Sequence, residues 1–266
     1  MPKCPHCNYP RFWRLRRKHA RCKSCKREYS LREWIVVGLQ VTEQSWLVVL
    51  DSFIRDSTIL AVSRETGVKP RRLHGMLTLI RQVMLADLPP MFRGPIEADD
   101  AFLGPRWHNR RSWQRATKRG RGTDQQPVIG LFDQDSGKVA ATLIPKVEWQ
   151  YIHAFLKERA RPKVKLFTDT YSAYKPANRS GYGHQVVDHL KGEYARGMVT
   201  VNRIESFWGY MKRQFKVTGG LRRSRLKLYL GEWVWRYNFR NWPREAKVKR
   251  LIHLLKEQKF SGKICK

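Results

Sequence analysis

Four of the five cysteines occur as two short pairs, Cys4-x-x-Cys7 and Cys22-x-x-Cys25, separated by fourteen residues. Each pair can present two thiolates from one tight turn, and two such turns supply the tetrahedral ligand set that Zn²⁺ prefers. We therefore expect one structural zinc ion in a zinc ribbon that spans residues 1–32. A closed shell of four thiolates leaves no open position for water, so this metal is not expected to perform chemistry.

Three acidic residues form a second candidate group. Asp99 lies in the alternating strand pattern IEADDAFLG, Asp169 ends the apolar strand VKLFTD, and Glu205 lies early in the amphipathic helix NRIESFWGYMKRQFK. Taken singly, each has an ordinary alternative: a solvated edge acid, a turn, or a capping-box variant with Asn202. Brought together, the three like charges would require cations, which predicts a pair of Mg²⁺ (or Mn²⁺) ions suited to phosphodiester chemistry.

The order of elements predicts how these acids would meet. From residue 95 the patterns give three strands, a helix, a strand, a short helix, a strand and a helix. This order is that of the α/β ribonuclease H-like fold, a mixed five-stranded sheet in which the first and fourth strands are neighbours. Glu97 shares a strand face with Asp99, and Asp100 takes the other face. Lys212 lies two helical turns beyond Glu205 on the same face, where it could hold DNA phosphate.

The charge of the chain points to a polyanionic partner. Lys and Arg total 54 against 22 Asp and Glu, a formal net charge of +32. Such an excess is typical of nucleic-acid binding, with ribosome-like scaffolding or an anionic membrane surface as alternatives. The apolar content of 41% excludes wholesale disorder, and no apolar run is long enough to span a membrane. The start MPKCPHCNYP lacks the apolar region of a signal peptide, so we expect a cytoplasmic, nucleoid-associated protein.

A helical region, residues 33–90, follows the ribbon and has the order of a helix-turn-helix domain. Ser57 or Thr58 could cap one helix, Gly67 would form the turn, and a further helix would follow Lys69-Pro70. The start of that last helix carries the candidate DNA-binding residues Arg71, Arg72 and His74. An ordinary three-helix bundle would show the same pattern.

Two further basic segments are candidates for DNA contact. The insert 105–126 has seven Arg or Lys residues before its single acid and carries two tryptophans. It could be a solvated loop, but we favour contact with the DNA backbone and exposed bases. The candidate contact residues there are Arg110, Arg111, Lys118, Arg119 and Arg121. A basic tail, residues 246–266, follows the predicted catalytic domain, residues 91–245.

The blocks IEADDAFLG, LFTDTYSAY, VNRIESFWGYMKRQF and YLGEWVWRYNFRN resemble those of bacterial insertion-sequence transposases with an N-terminal zinc ribbon, the IS1595 group of ISXO type. The resemblance covers nearly the whole chain. It implies that Asp99 and Asp169 are the two aspartates of a DDE set. Glu205 fits the third position, with Asn202 in the same block as the alternative ligand.

The implied activity is that of a DNA transposase that binds the ends of its insertion sequence. Metal-activated water would cut double-stranded DNA at the transposon end, and the exposed 3′-hydroxyl would attack target DNA. A homo-oligomer on DNA is expected because two ends must be paired. The alternatives are a DNA-binding regulator with a non-catalytic ribonuclease H-like scaffold and a structure-selective endonuclease.

Overall fold

A computed structural model of the chain describes residues 3–4, 6–16, 19–30, 41–104, 125–187, 195–218 and 221–257. The chain forms two compact units, one of Met1–Met76 with Arg244–Lys266 and the other of Leu77–Pro243. Within the described ranges, no helix has the length and apolar character needed to cross a membrane.

The regular elements follow the chain in this order. The strands are β1 (Phe12–Leu15), β2 (His19–Cys22), β3 (Glu28–Ser30), β4 (Ile96–Leu103), β5 (Gln126–Asp133), β6 (Lys138–Leu143), β7 (Lys165–Thr168), β8 (Gly183–Val186), β9 (Ala195–Arg196) and β10 (Val199–Thr200). The helices are α1 (Glu43–Ile54), α2 (Ile59–Thr66), α3 (Pro70–Ala86), α4 (Trp149–Arg159), α5 (Asn202–Val217), α6 (Leu226–Asn238) and α7 (Arg244–Glu257). Short 3₁₀ helices occupy Ser172–Arg179 and Arg223–Arg225.

The first unit opens with a small antiparallel sheet in the order β1-β2-β3. The ring of Phe12 meets the ring of Tyr29 edge-on at 6.1 Å. The buried residues beneath the sheet are Cys4, Ala20, Cys22 and Tyr29. A core of this size cannot hold a segment of about thirty residues by apolar burial alone, so a further cross-link is needed.

Local signals set the ends of α1, α2 and α3. Oγ1 of Thr42 and Oγ1 of Thr58 each accept a hydrogen bond from a backbone N–H of the first helical turn, at 3.1 and 3.3 Å. Gly67 ends α2 at φ +67°, a left-handed conformation that glycine adopts without a Cβ penalty. Pro70 then begins α3, where its fixed φ suits the first helical position. The predicted order of helix, glycine turn and helix is found at these positions.

Helix α7 packs against α1 within the first unit. Nε of Arg244 pairs with Oδ1 of Asp51 at 3.1 Å. The buried face of α7 consists of Val248, Leu251 and Leu255. The segment predicted as a basic tail, residues 246–266, therefore begins as a packed helix, and its residues 258–266 lie outside the described ranges.

The division between the two units falls inside α3, because the later part of that helix packs on α6 in the second unit. Nε of Arg81 donates to Oε2 of Glu232 at 2.7 Å. A Cβ at Gly231 would lie 2.8 Å from the Leu85 side chain, so the two helices are in close contact. The finer domain ranges given above stay predictions.

The second unit is built on a five-stranded mixed sheet in the order β6-β5-β4-β7-β8. The pairs β4–β5 and β5–β6 are antiparallel, and the pairs β4–β7 and β7–β8 are parallel. The prediction of a mixed five-stranded α/β sheet is confirmed, and so is the predicted adjacency of its first strand, β4, and its fourth, β7.

Helices cover both faces of this sheet. One face packs on α4 and the 3₁₀ helix that precedes β8, through residues that include Ile96 and Ala98 of β4. The opposite face packs on α5 and α6, through residues that include Ala101 and Leu103. Because side chains alternate along a strand, the odd-numbered residues of β4 face α5. Glu97 and Asp99 are therefore on the same side of the sheet as Glu205.

Candidate functional site

Asp99 lies in the centre of β4, opposite Gly130 of the neighbouring strand β5. The indole Nε1–H of Trp208, from α5, donates to Oδ2 of Asp99 at 3.0 Å. The indole lies directly over Gly130, since a Cβ built there would meet two of its ring carbons at 2.5 Å. Only glycine leaves room for the ring at this position. The side chain of Asp99 is thus held in place by α5.

The structure brings the three predicted acids into electrostatic contact. Burial raises the pKa of Asp99 to about 7, and the negative charges of Asp100, Asp169 and Glu205 act in the same direction. Asp169 directly follows β7, and Glu205 lies in the first turn of α5. Charges from the adjacent strand end and from the helix that crosses the sheet therefore act on Asp99, and that the three acids form one metal site stays a prediction.

Asp169 is oriented by the backbone that follows it. The N–H of Tyr171 donates to Oδ1 of Asp169 at 3.0 Å, which forms a turn closed by the side chain. Beneath it, Oγ1 of Thr168 lies 2.9 Å from Nε2 of His184. Nδ1 of His184 lies 2.9 Å from Oδ1 of Asn178, and burial lowers the pKa of this histidine. His184 thus supports the end of β7.

Asn202 and Lys212 both lie on exposed parts of α5. Asn202 is the first residue of the helix, and its backbone N–H donates to Oγ1 of Thr200 at 3.1 Å. The N-cap position is Val201, without a side-chain cap, so the alternative of an Asn202 capping box is not what the structure shows. Lys212 follows Glu205 by seven residues, which places both on one helical face.

Glu97 is a further site residue whose role the sequence did not reveal. Its side chain is fully buried, with 0% exposure. One carboxylate oxygen, Oε2, accepts from the N–H groups of Arg203 and Ile204 at 2.9 and 3.1 Å, and Oε1 accepts from Nε2 of Gln134 at 2.8 Å. The sequence offered one signal for Glu97, which is that it shares a strand face with Asp99. A glutamate buried on that face must find hydrogen-bond partners.

The site could hold divalent cations through carboxylate oxygens, the ligands that Mg²⁺ prefers. The raised pKa of Asp99 fits this use, since a cation would offset the repulsion among the acids. Within the described ranges, the four cysteines are the one group of three or more Cys, His, Asp or Glu residues whose ligand atoms lie close enough together for a metal ion. The three acids lie farther apart than the cysteines.

The four predicted zinc ligands do converge. The Sγ atoms of the four cysteines all lie within 4.8 Å of one another, with the Cys4–Cys25 pair at 3.6 Å and the Cys7–Cys22 pair at 3.5 Å. The two turns have the same backbone form, because Asn8 and Lys26, each following the second cysteine of its pair, both have φ of 59°. The cysteines therefore lie close enough to bind a metal ion, as expected for structural zinc.

Two thiols of this cluster, those of Cys7 and Cys25, differ in pKa. A backbone hydrogen bond from Tyr9 is the main cause that lowers the pKa of Cys7 to about 6. A backbone hydrogen bond from Arg27 lowers the pKa of Cys25, but burial and the other thiols raise it to about 11. A bound zinc ion would favour the thiolate form of all four.

The predicted DNA contacts are described only in part. Arg71, Arg72 and His74 are exposed at the start of α3, while Leu73 between them is buried. The predicted contact residues of the basic insert lie outside the described residues; these are Arg110, Arg111, Lys118, Arg119 and Arg121.

Two known proteins share sequence with this chain. A protein of Halobacterium salinarum named "Uncharacterized protein in transposable element ISH50" is 27% identical over 221 residues, which cover 79% of this chain and 74% of that protein. An "Uncharacterized transposase-like protein" of Haemophilus influenzae is 27% identical over 120 residues, covering 45% of this chain and 92% of its own.

A solved structure and a protein family also match. A chain of a simian T-cell lymphotropic virus intasome in complex with PP2A regulatory subunit B56 gamma aligns with a TM-score of 0.34 and 13% identity, over 71% of this chain and 67% of that one. A TM-score this low carries no argument about fold. The ISXO2-like transposase domain, however, matches residues 91–238, which contain the whole carboxylate site and make up more than half of the chain. The chain therefore belongs to the ISXO2-like transposase family.

Proposed function

We propose that this protein is a DNA transposase that cuts the ends of its insertion sequence and joins them to target DNA. The observation that carries the proposal is the electrostatic effect of Asp169 and Glu205 on the buried Asp99, in a chain of this family. An acid whose pKa is raised by burial and by neighbouring acids, as that of Asp99 is, is costly to ionise unless a cation offsets its charge, which supports a metal-dependent site over a passive scaffold.

The sheet supports assignment to the ribonuclease H-like fold. Three antiparallel strands followed by two parallel ones, with the first strand in the centre, make up that arrangement. The helices α2 and α3, joined by the Gly67 turn, would form a helix-turn-helix unit. Arg71, Arg72 and His74 at the exposed start of α3 would contact transposon-end DNA.

The residues of the site would have separate roles in phosphoryl transfer. Asp99, Asp169 and Glu205 would hold a pair of Mg²⁺ or Mn²⁺ ions. When bound, such ions supply activation of a water or 3′-hydroxyl and stabilisation of the leaving oxygen. The Trp208 N–H fixes the rotamer of Asp99, and the Tyr171 N–H fixes that of Asp169. These fixed side chains would present a preorganised set of oxygens to the ions.

Basic and aromatic side chains would hold the DNA. Lys212, exposed on the face of α5 that carries Glu205, would bind a phosphate next to the reacting bond. In the zinc ribbon, Nζ of Lys23 and of Lys26 lie 5.6 and 4.7 Å from the ring centre of Trp13, which is 45% exposed. This basic and aromatic surface would contact the DNA backbone. Two copies would act together, because two ends must be joined.

The test is a Mg²⁺-dependent cleavage and strand-transfer assay on duplexes that carry the ends flanking this gene. We expect Asp99→Asn, Asp169→Asn and Glu205→Gln each to abolish cleavage while end binding persists. Glu158→Gln is the matched control, because Glu158 is an exposed glutamate on α4. Tight, salt-sensitive binding by the wild type without cleavage under Mg²⁺ or Mn²⁺ would instead favour a DNA-binding regulator.

The same assay decides the third ligand. Glu205 brings a charge that acts on Asp99, whereas Asn202 would bring a neutral amide oxygen. We expect Glu205→Gln to lose cleavage and Asn202→Ala to retain most of it. The reverse pattern would make Asn202 the ligand.

A further inference from the structure

A buried carboxylate links the strand that carries Asp99 to the helix that carries Glu205. Glu97 of β4 has no exposed surface and accepts three hydrogen bonds, two of them from the backbone of α5. A fully buried carboxylate is costly unless it is well satisfied. Its hydrogen bonds are therefore specific, and removing them would disturb both β4 and α5.

The start of α5 needs such a partner. Its N-cap residue, Val201, offers no side-chain hydrogen bond, and Oγ1 of Thr200 accepts only from the N–H of Asn202, so the N–H groups of the next two helical residues need an acceptor from elsewhere. Glu97 supplies the acceptor from another element, and its negative charge lies where the helix dipole is positive. The N–H groups that it receives belong to Arg203 and Ile204, the second and third residues of the helix.

The link spans a short path between two proposed metal ligands. Glu97 is two residues before Asp99 on the same face of a strand, about 7 Å along it. Ile204 is the residue immediately before Glu205. A strand and a helix are both stiff, so the hydrogen bond between Glu97 and Ile204 sets how far the carboxylate of Glu205 lies from that of Asp99.

Gln134 fixes the carboxylate from the other side. Its Nε2 donates both to Oε1 of Glu97 and to the carbonyl oxygen of Met198, at 2.8 and 3.1 Å. Met198 lies between β9 and β10, in the hairpin that leads into α5. The backbone N–H of Gln134 also donates to the carbonyl oxygen of Pro95, directly before β4. Gln134 thus connects the strand, through its backbone, with the glutamate and the approach to the helix, through its side chain.

We propose that Glu97, held by Gln134, is a positioning residue that fixes α5 so that Glu205 and Asp99 can share the same divalent cations. The proposal rests on the proposed function of the site. Glu97 is not itself a ligand, because N–H donors occupy both of its oxygens and no part of it is exposed. Glu97 acts by holding α5, the helix that carries Glu205.

Metal affinity tests this role without any DNA reaction. Glu97→Gln keeps the shape of the side chain, removes the charge and sets an NH₂ group against Nε2 of Gln134. Residues that orient metal ligands typically change affinity by about 10–100-fold when altered. We therefore expect Mn²⁺ titrations followed by electron paramagnetic resonance to show at least about tenfold weaker binding. Exchange of the Arg203 and Ile204 amide hydrogens should be faster.

A second variant covers the case in which Glu97→Gln does not fold. Gln134→Met keeps the length of the side chain and leaves the carboxylate and both backbone hydrogen bonds in place. We expect weaker Mn²⁺ binding by a few fold. Ile152→Val is the stability control, since Ile152 of α4 is buried against the opposite face of the sheet. It should lose stability without losing Mn²⁺ affinity.

The outcomes separate this proposal from the proposed function. Folded Glu97→Gln protein with Mn²⁺ affinity and amide exchange within twofold of wild type would overturn the positioning role. Weaker Mn²⁺ binding in Ile152→Val to the same extent would also overturn it, because the effect would then follow stability. A wild type that binds Mn²⁺ but cuts no DNA would contradict the proposed function and leave the Mn²⁺ and exchange results to decide the role of Glu97.

Discussion

Replacing Gly130 by alanine tests the packing that holds Asp99. The added Cβ would lie 2.5 Å from Cη2 and Cζ2 of Trp208, and 2.9 Å from Cδ1 of Ile204. Carbon atoms in contact normally lie about 3.5–4.0 Å apart, so the ring must move by about 1 Å or more. Such overpacking costs about 1–3 kcal/mol. A displaced ring also lengthens the hydrogen bond from Nε1–H to Oδ2 of Asp99, which orients that side chain.

The assay is urea unfolding of Gly130→Ala, followed by circular dichroism. Gly183→Ala is the matched control, because its Cβ would meet the Lys165 backbone at an ordinary 3.7 Å. We expect the free energy of unfolding of the second unit to fall by about 1–3 kcal/mol in Gly130→Ala and by under about 0.5 kcal/mol in the control.

A double-mutant cycle identifies the cause. Trp208→Phe removes the two ring carbons that the new Cβ would meet, so Gly130→Ala should cost less in that background. Two results would refute the reasoning: equal stability of Gly130→Ala and its control, or the same cost of Gly130→Ala with Phe at position 208.

Three other predictions concern protons, zinc and DNA. The pKa of Asp99 in the folded, metal-free protein is about 7, above its unfolded value, so its contribution to stability is complete at low pH and is lost as the pH rises towards 7. The urea midpoint of Asp99→Asn, measured between pH 4 and 8, should not show this loss. Wild type and Asp99→Asn with the same pH dependence of the midpoint would contradict the prediction. Protons compete with zinc for the four thiolates, so bound zinc should fall as the pH is lowered, and Cys22→Ser should bind no stoichiometric zinc by metal analysis. An unchanged zinc content would exclude the site. Arg71→Ala should weaken binding of transposon-end DNA and reduce the salt dependence of that binding. Fluorescence anisotropy at several salt concentrations measures both. An unchanged salt dependence would show that Arg71 does not contact the DNA backbone.

Features that depend on neighbours in sequence were predictable. The spacing of the cysteine pairs is a property of tight turns, and the cysteines do converge. Thr58, Gly67 and Pro70 act on the backbone within a few residues of themselves, so the ends of α2 and the start of α3 fall where the pattern placed them. Alternation along β4 predicted that Glu97 and Asp99 share one strand face, which is the face that packs on α5.

The adjacency of the strands that lead to Asp99 and Asp169 was predicted through the order of elements rather than through local pattern. Asp99 and Asp169 are far apart in sequence, and they come close because β4 and β7 pair in parallel. The predicted fold supplied that pairing, while each acid alone could have been a turn or cap residue. Their roles as metal ligands stay predictions.

The sequence by itself determined the kinds of elements, the cysteine cluster and the family, because these follow from spacing and periodicity along the chain. Only the tertiary structure decided that Glu97 holds the start of α5, that Gly130 makes room for the Trp208 ring and that α7 packs on α1. Each of these contacts joins residues about 80 or more positions apart. Their partners are selected by buried shape and by the need to satisfy buried polar groups, which no local pattern encodes.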